Sequence, residues 1–222
     1  MKLIAHRGNT EDRYGENTKE AILSALEKEY IAGIETDVRM TYDQKLVLNH
    51  NLTIDHTSNG HGFVALTPLK ELQKYQFGTK KNPTKIAVLE DVLNNIHSDK
   101  ILLLELKHET DVYDTYLKQV YKVIKKYSYL NIYLCSFHYE LIKTMKELHP
   151  EIKCGIIIGP LLNQNKDYKV FDFLVLEQRL TIPKTEQEIF LWTVNKSIPK
   201  GNVQYLITDV PEKLAKDLGD LH

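Results

Sequence analysis

The sequence predicts an α/β protein of the (β/α)8 TIM-barrel class with a small insertion after the second strand. Three observations carry this expectation. Short runs rich in apolar and β-branched residues alternate with longer segments of helical period along the whole chain, the pattern of a parallel sheet covered by helices. No Pro/Gly/Ser-rich linker divides the 222 residues, so one domain spanning 1–222 is expected. A doubly wound sheet would give the same alternation, and the third observation separates the two. His6, Glu35 with Asp37, Glu105 with Lys107, Ser136, Asn195 and Asp209 all fall at or just past the C-terminal ends of expected strands. In a barrel those ends meet in one mouth, where active sites form.

The first expected strand, Lys2 to His6, is a Leu-Ile-Ala run ending on polar residues. Thr18 to Glu29 follows as a helix, because Thr18 is a good N-cap and Ala21, Ile22, Ala25 and Leu26 share one face. Gly33 to Val38 is the second strand. Leu52 to Pro83 then interrupts the alternation with Asn59-Gly60-His61-Gly62, Thr67-Pro68 and Gly78; it is too long for a βα loop and reads as a small lobe beside the mouth. Val88 to His97 is the next helix, Ile101 to Leu106 the third strand, and Val112 to Tyr127 a helix. Asn131 to Ser136 is the fourth strand and Tyr139 to His149 its helix. Strands five to eight are Lys153 to Ile158, Phe173 to Leu176, Phe190 to Val194 and Gln204 to Thr208, and Glu212 to Leu218 closes the chain as a helix. Helical periodicity after strands five, six and seven is weaker, so those three helices are candidates only.

With 42% hydrophobic and 27% charged residues the chain can bury a sizeable core. Lys+Arg 29 against Asp+Glu 30 gives a net charge of -1, which offers no basic field for nucleic acid. Leu3-Ile4-Ala5 is far too short for a signal core and no run approaches a membrane span, so a cytoplasmic protein is expected. Cys135 and Cys154 lack the spacing of a zinc or redox pair and read as buried thiols.

Glu35 and Asp37 lie two apart on a strand, so both carboxylates leave the same face. Alone, such a pair reads as a solvated strand end. Glu105, however, ends the next barrel strand and places a third carboxylate beside them. Acids crowded in a mouth call for a divalent cation, and oxygen ligands suit Mg2+ or Ca2+. Lys107 faces the same way as Glu105 and reads first as its ion-pair partner. Arg7 has the planar fork that grips phosphate oxygens. His6 and His50 are the candidate acid and base, since imidazole exchanges protons near neutral pH. His97, His108, His138, His149 and His222 read as structural, while His56 and His61 belong to the insertion and remain possible substrate contacts.

The joint pattern of His6-Arg7-Gly8, Glu16-Asn17-Thr18, Glu35-Thr36-Asp37, His50, Trp192-Thr193-Val194-Asn195 and Ile207-Thr208-Asp209-x-Pro211 resembles the glycerophosphodiester phosphodiesterase family from His6 to Pro211. The resemblance implies a barrel enzyme that cleaves a glycerophosphodiester to glycerol 3-phosphate and an alcohol. It implies a divalent metal on Glu35, Asp37 and Glu105, a phosphate contact from Lys107, and a supporting role for Glu16 and Asn17. Trp192 would give an apolar wall for glycerol, and Asp209 would cap the last helix. The attack is expected to come from the substrate's own 2-hydroxyl through a cyclic phosphate. Departures are a longer His6–Glu16 spacing, Gly15 for a Pro, Gln44 for a turn Gly, Asn51 for an Asp after the second His, and His56 for an Arg. Two alternatives stand beside this reading. One is a lysophospholipase D-type phosphodiesterase, with Phe63, Leu66 and Leu69 lining an apolar groove; the other is a non-catalytic phospholigand-binding barrel.

Overall fold

The computed structural model describes residues 1–8, 13–108, 113–199 and 201–219. Eight parallel strands close on themselves: β1 (Lys2–Ala5), β2 (Ile31–Met40), β3 (Ile101–Leu106), β4 (Ile132–Ser136), β5 (Lys153–Ile158), β6 (Phe173–Glu177), β7 (Glu188–Trp192) and β8 (Tyr205–Thr208). Each strand pairs with its sequence neighbour, and β1 pairs with both β8 and β2, which closes the ring. The (β/α)8 expectation therefore holds over a doubly wound sheet, which would leave two open edges. A ninth strand, Leu46–Leu48, returns antiparallel along the upper half of β2, pairing Val38 with Leu48.

Alternation along the strands sorts side chains into two cores. Ile4, Leu103, Tyr133, Ile157, Phe173, Val175, Phe190 and Ile207 point inward and fill the barrel. Leu3, Ile34, Val38, Leu102, Leu104, Leu134 and Leu206 point outward and pack on the helices. Helix α1 (Lys19–Leu26) begins on Thr18, whose hydroxyl accepts from the Ala21 amide at 3.2 Å, as the sequence predicts. The insertion forms a lobe with its own core of Val47, Ile54, Val64, Leu72, Phe77 and Ile86, and includes the short helix α2 (Leu69–Leu72).

Helices α3 (Leu89–Asn94), α4 (Asp114–Ile124), α5 (Tyr139–Leu148) and α6 (Pro211–Leu218) follow at the expected places; the first three are trimmed by one to several residues, and α6 starts one residue early, at Pro211. Val112, the expected start of the α4 segment, lies outside the described residues, as does His222. The candidate helices after β5, β6 and β7 are absent among the described residues: 159–172, 178–187 and 193–199 are turns and extended chain. Pro160, Pro183 and Pro199 interrupt these segments, and none carries an apolar stripe of helical spacing. Tyr168, Phe171, Leu180, Ile182, Val194 and Ile198 cover the barrel there instead. Strand β7 starts two residues before the expected Phe190 and ends at Trp192. Val194 has already turned out of the ladder, although its amide still donates to the Ile207 carbonyl at 2.9 Å. No helix among the described residues is long and apolar enough to cross a membrane.

Candidate active site

The chain leaves β1 through a single turn, His6–Gly8, in which Arg7 (φ 54°) and Gly8 (φ 68°) both occupy the left-handed region. Gly8 is required twice, because a Cβ there would also stand 2.8 Å from Ile22. This turn aims His6 and Arg7 at the carboxylates of the next two strands.

Glu35 and Asp37 on β2 and Glu105 on β3 offer oxygens within 4.8 Å of one another, with Asp37 and Glu105 directly in register. All three are buried. Burial, followed by the charge of Asp37, pushes Glu35 up to about 8, and the same two causes raise Glu105 to about 7. Burial would raise Asp37 too, but Lys107 and Arg7 outweigh it and hold that carboxylate below its ordinary value. Lys107 Nζ lies 2.6 Å from Glu105 and 3.1 Å from Asp37, and Arg7 Nε lies 3.4 Å from Asp37. Glu35 accepts from the Arg7 amide at 3.0 Å through Oε2. Its Oε1 is buried with no partner among the described residues. An orphaned carboxylate oxygen beside two further buried acids is a set of oxygens that could hold a divalent cation.

Asn17 and Glu16 hold this cluster from α1's approach. Asn17 donates to Asp37 Oδ2 at 2.8 Å, while its own Oδ1 accepts from the Thr36 hydroxyl and the Asp37 amide at 2.6 and 3.0 Å. Glu16 accepts from the Arg7 guanidinium at 2.7 Å. Helix capping thus falls to Thr18 and leaves Asn17 for the site.

His6 and His50 stand at the same pocket, lined also by Arg7, Glu35, Glu105, Lys107, Phe137, Ile157, Val175, Trp192 and Ile207. His6 Nδ1 donates to Asp209 Oδ1 at 2.6 Å, which leaves Nε2 at the pocket, 3.7 Å from Glu35. Asp209 is not a helix cap: the cap position of α6 is Val210, with no side-chain bond. The second oxygen of Asp209 accepts from Asn195 at 2.7 Å, and Asn195 in turn accepts from the Thr208 hydroxyl and the Asp209 amide. Both residues sit at strand ends in the sequence, but spacing alone could not reveal a bond to a histidine 203 positions away.

Burial lowers the basicity of His6, yet the hydrogen bond to Asp209 and the charge of Glu35 more than offset it, so its pKa is raised. His50 moves the other way, because burial outweighs the attraction of Asp37. Its Nδ1 donates to Asn51 Oδ1 at 2.8 Å, which fixes the tautomer and leaves Nε2 as the exchanging nitrogen. Arg39, unnoticed in the sequence, anchors this loop by donating to the His50 carbonyl at 2.6 Å.

Trp192 meets Phe137 edge to face with centroids 5.4 Å apart, an apolar wall opposite the acids. The remaining described histidines are elsewhere. His138 caps α5, His108 stacks on Tyr116 and His149 on Tyr121, and His61 pairs with Asp55 on the lobe.

A model of the Glycerophosphoryl diester phosphodiesterase family matches residues 6–213. The chain belongs to this family. It is a phosphoric diester hydrolase on a TIM barrel. YhdW of Bacillus subtilis is 32% identical over 98% of each chain, and the glycerophosphodiester phosphodiesterase of Caldanaerobacter subterraneus subsp. tengcongensis is 30% identical over 96% of this chain and 95% of its own. Among solved structures, an Oleispira antarctica phosphodiesterase in complex with the product sn-glycerol-3-phosphate superposes with a TM-score of 0.86 at 22% identity, covering 99% of this chain and 97% of the other. At that identity the likeness shows the shared fold.

Proposed function

We propose that this family member hydrolyses a glycerophosphodiester to glycerol 3-phosphate and an alcohol, using a divalent cation, Mg2+ or Ca2+, on Glu35, Asp37 and Glu105. The observation that carries the reading is the buried three-carboxylate cluster with its unpartnered Glu35 oxygen, flanked by two histidines whose Nδ1 atoms are already engaged. Bound there, the cation would polarise the phosphoryl oxygens and acidify a coordinated hydroxyl.

The remaining work belongs to the chain itself. Arg7 and Lys107 are held by acids at the pocket edge, where guanidinium and ammonium offset charge on the phosphate oxygens. Nε2 of His6 and Nε2 of His50 exchange protons, one taking the proton of the attacking hydroxyl and the other giving one to the departing alcohol. The substrate's 2-hydroxyl is the nucleophile, since an attached group starts with a large entropic advantage over free water. Its oxygen forms the new P–O bond as the alcohol leaves, and water then opens the cyclic phosphate. The Trp192–Phe137 wall seats the glycerol carbons. Buried Cys135 and Cys154, both unpaired, suit a reducing compartment, and the cytoplasm is the proposed location.

The test is release of glycerol 3-phosphate from a panel of glycerophosphodiesters and lysophospholipids with Mg2+, Ca2+ or chelator. Turnover at full rate in excess chelator would sink the metal assignment. A 2-deoxy analogue should bind and resist cleavage; its cleavage at the normal rate would assign the attack to water. The lysophospholipase D reading keeps one specific support, the exposure of Phe63 and Leu66 on the lobe. Family membership removes the ground for a non-catalytic barrel.

A further inference from the structure

The rim of the mouth carries exposed apolar side chains that the proposed hydrolysis does not use. On the lobe side Leu52 is 46%, Phe63 50%, Leu66 72% and Tyr42 70% exposed. Backbone hydrogen bonds set them side by side: the Val64 amide donates to the Leu52 carbonyl at 3.0 Å, Leu66 to Phe63 at 3.2 Å and Tyr42 to Thr67 at 3.3 Å. The patch starts just beyond His50 in the chain, at the pocket edge. Across the mouth, the loop after β5 exposes Leu161 (95%) and Leu162 (54%). Asn163 of that loop donates to the carbonyls of Phe137 and Ile157, two pocket residues, at 2.8 and 2.9 Å. Two apolar tips therefore border one opening, an arrangement that marks an interaction site rather than scattered surface residues.

Charge points to what covers them. From Leu52 to Lys85 the lobe carries Lys70, Lys74, Lys80, Lys81 and Lys85 against Asp55 and Glu71, five minus two, a surplus of three positive charges in a chain of net charge -1. All five lysines are exposed, and among the described residues Lys74 alone pairs with a lobe acid, Glu71, at 2.6 Å. Exposed ammonium groups on the same lobe as exposed Leu and Phe match an anionic bilayer surface, whose headgroups attract the lysines while the acyl boundary takes the apolar tips. An acidic protein would answer the charge but not the apolar tips on both sides of a substrate opening.

We infer that the rim of the mouth docks on an anionic phospholipid surface, with Phe63, Leu66, Leu161 and Leu162 entering the interface and the pocket opening toward the headgroups. This goes beyond the proposed hydrolysis and rests on that reading only for the lipid origin of the diester delivered.

The test is cosedimentation of the full chain with vesicles of phosphatidylcholine alone or mixed with phosphatidylglycerol. Binding to the mixed vesicles should be about ten-fold tighter at low salt and should weaken as salt rises. F63S/L66S and L161S/L162S should each weaken it about ten-fold. L161S/L162S should keep the wild-type rate on a soluble glycerophosphodiester, and F63S/L66S the wild-type melting temperature. K70E/K80E/K81E should abolish the preference for anionic vesicles. No binding at low salt, equal binding to both vesicles, or binding untouched by these variants would overturn the inference. A dimer in solution that F63S/L66S dissociates would overturn it as well, by assigning the rim to a second copy. An inactive protein that still sediments with anionic vesicles would defeat the hydrolysis reading and leave this one standing.

Discussion

Glu35 binds the Arg7 amide through one oxygen and, among the described residues, nothing through the other, and that asymmetry makes the metal testable. Added Mg2+ or Ca2+ should raise the melting temperature, by about 2.7 kcal/mol of stabilisation at one hundred times the dissociation constant, and Glu35→Gln should abolish the effect. His6→Ala and His50→Ala should each slow turnover by about two to four orders of magnitude with the fold intact, whereas His97→Ala should change little. Equal small losses at all three would remove the histidines from the chemistry. Asp209→Asn should cost about two orders of magnitude or more, because it takes the anion from the His6 imidazole and frees its tautomer. For His50 the sign follows from its neighbour. Burial lowers its pKa and Asn51 offers no charge to oppose this, so Asn51→Asp should raise it. The limb of the pH–rate profile that moves upward names the role: the acidic limb if His50 is the base, the alkaline limb if it is the acid. The sequence singles out Glu35, Asp37, Glu105, His6 and Asp209 because each sits at a strand end, and the structure brings them and His50 to one pocket region; the bond between Asp209 and His6 was not legible, because it crosses the closing seam.

Within the elements, the legible parts were those that local physics decides. Eight strands came through because buried parallel strands are continuous apolar runs, and α1 because Thr18 caps it. The stretches after β5 to β7 resisted, since isolated apolar residues such as Leu180 and Ile182 cover the barrel without any period. The turn between β2 and Leu46–Leu48 shows a local cost. Gln44 sits there at φ 60°, in the left-handed region that glycine occupies freely. Gln44→Gly should therefore stabilise the protein by roughly 0.5–1 kcal/mol, a rise of about 1–4 °C in Tm. No change, or a fall, would mean that the bond from Gln119 to the Gln44 side chain outweighs the backbone strain.

At the scale of the molecule, two of the three acids buried at one end of the barrel make stability depend on pH in an uncommon direction. Glu35 and Glu105 have raised pKa values in the folded state, so between their ordinary value near 4.5 and about 8 the folded chain holds more protons than the unfolded one. Stability contributed by these groups is present at low pH and lost as pH rises through that window. In chelator, the melting temperature of the wild type relative to Glu35→Gln should fall from pH 5 to pH 8. A saturating cation should flatten the difference. A constant difference across that range without metal would show that Glu35 is ionised throughout.

The bond between His6 and Asp209 links the first strand of the barrel to its last, so the order of synthesis decides when His6 meets its partner. On a ribosome β1 emerges first and β8 last, so the edge of β1 that β8 will cover stays open while nearly all the chain is made. The three carboxylates and His50 all precede Asp209 in the chain and are synthesised before His6 can acquire its anion. A nascent chain arrested before Asp209 leaves the exit tunnel carries all three carboxylates and both histidines, yet its first histidine has no partner to orient it. On the proposed chemistry, His6 is oriented for proton exchange only once β8 has paired with β1 and brought Asp209 beside it.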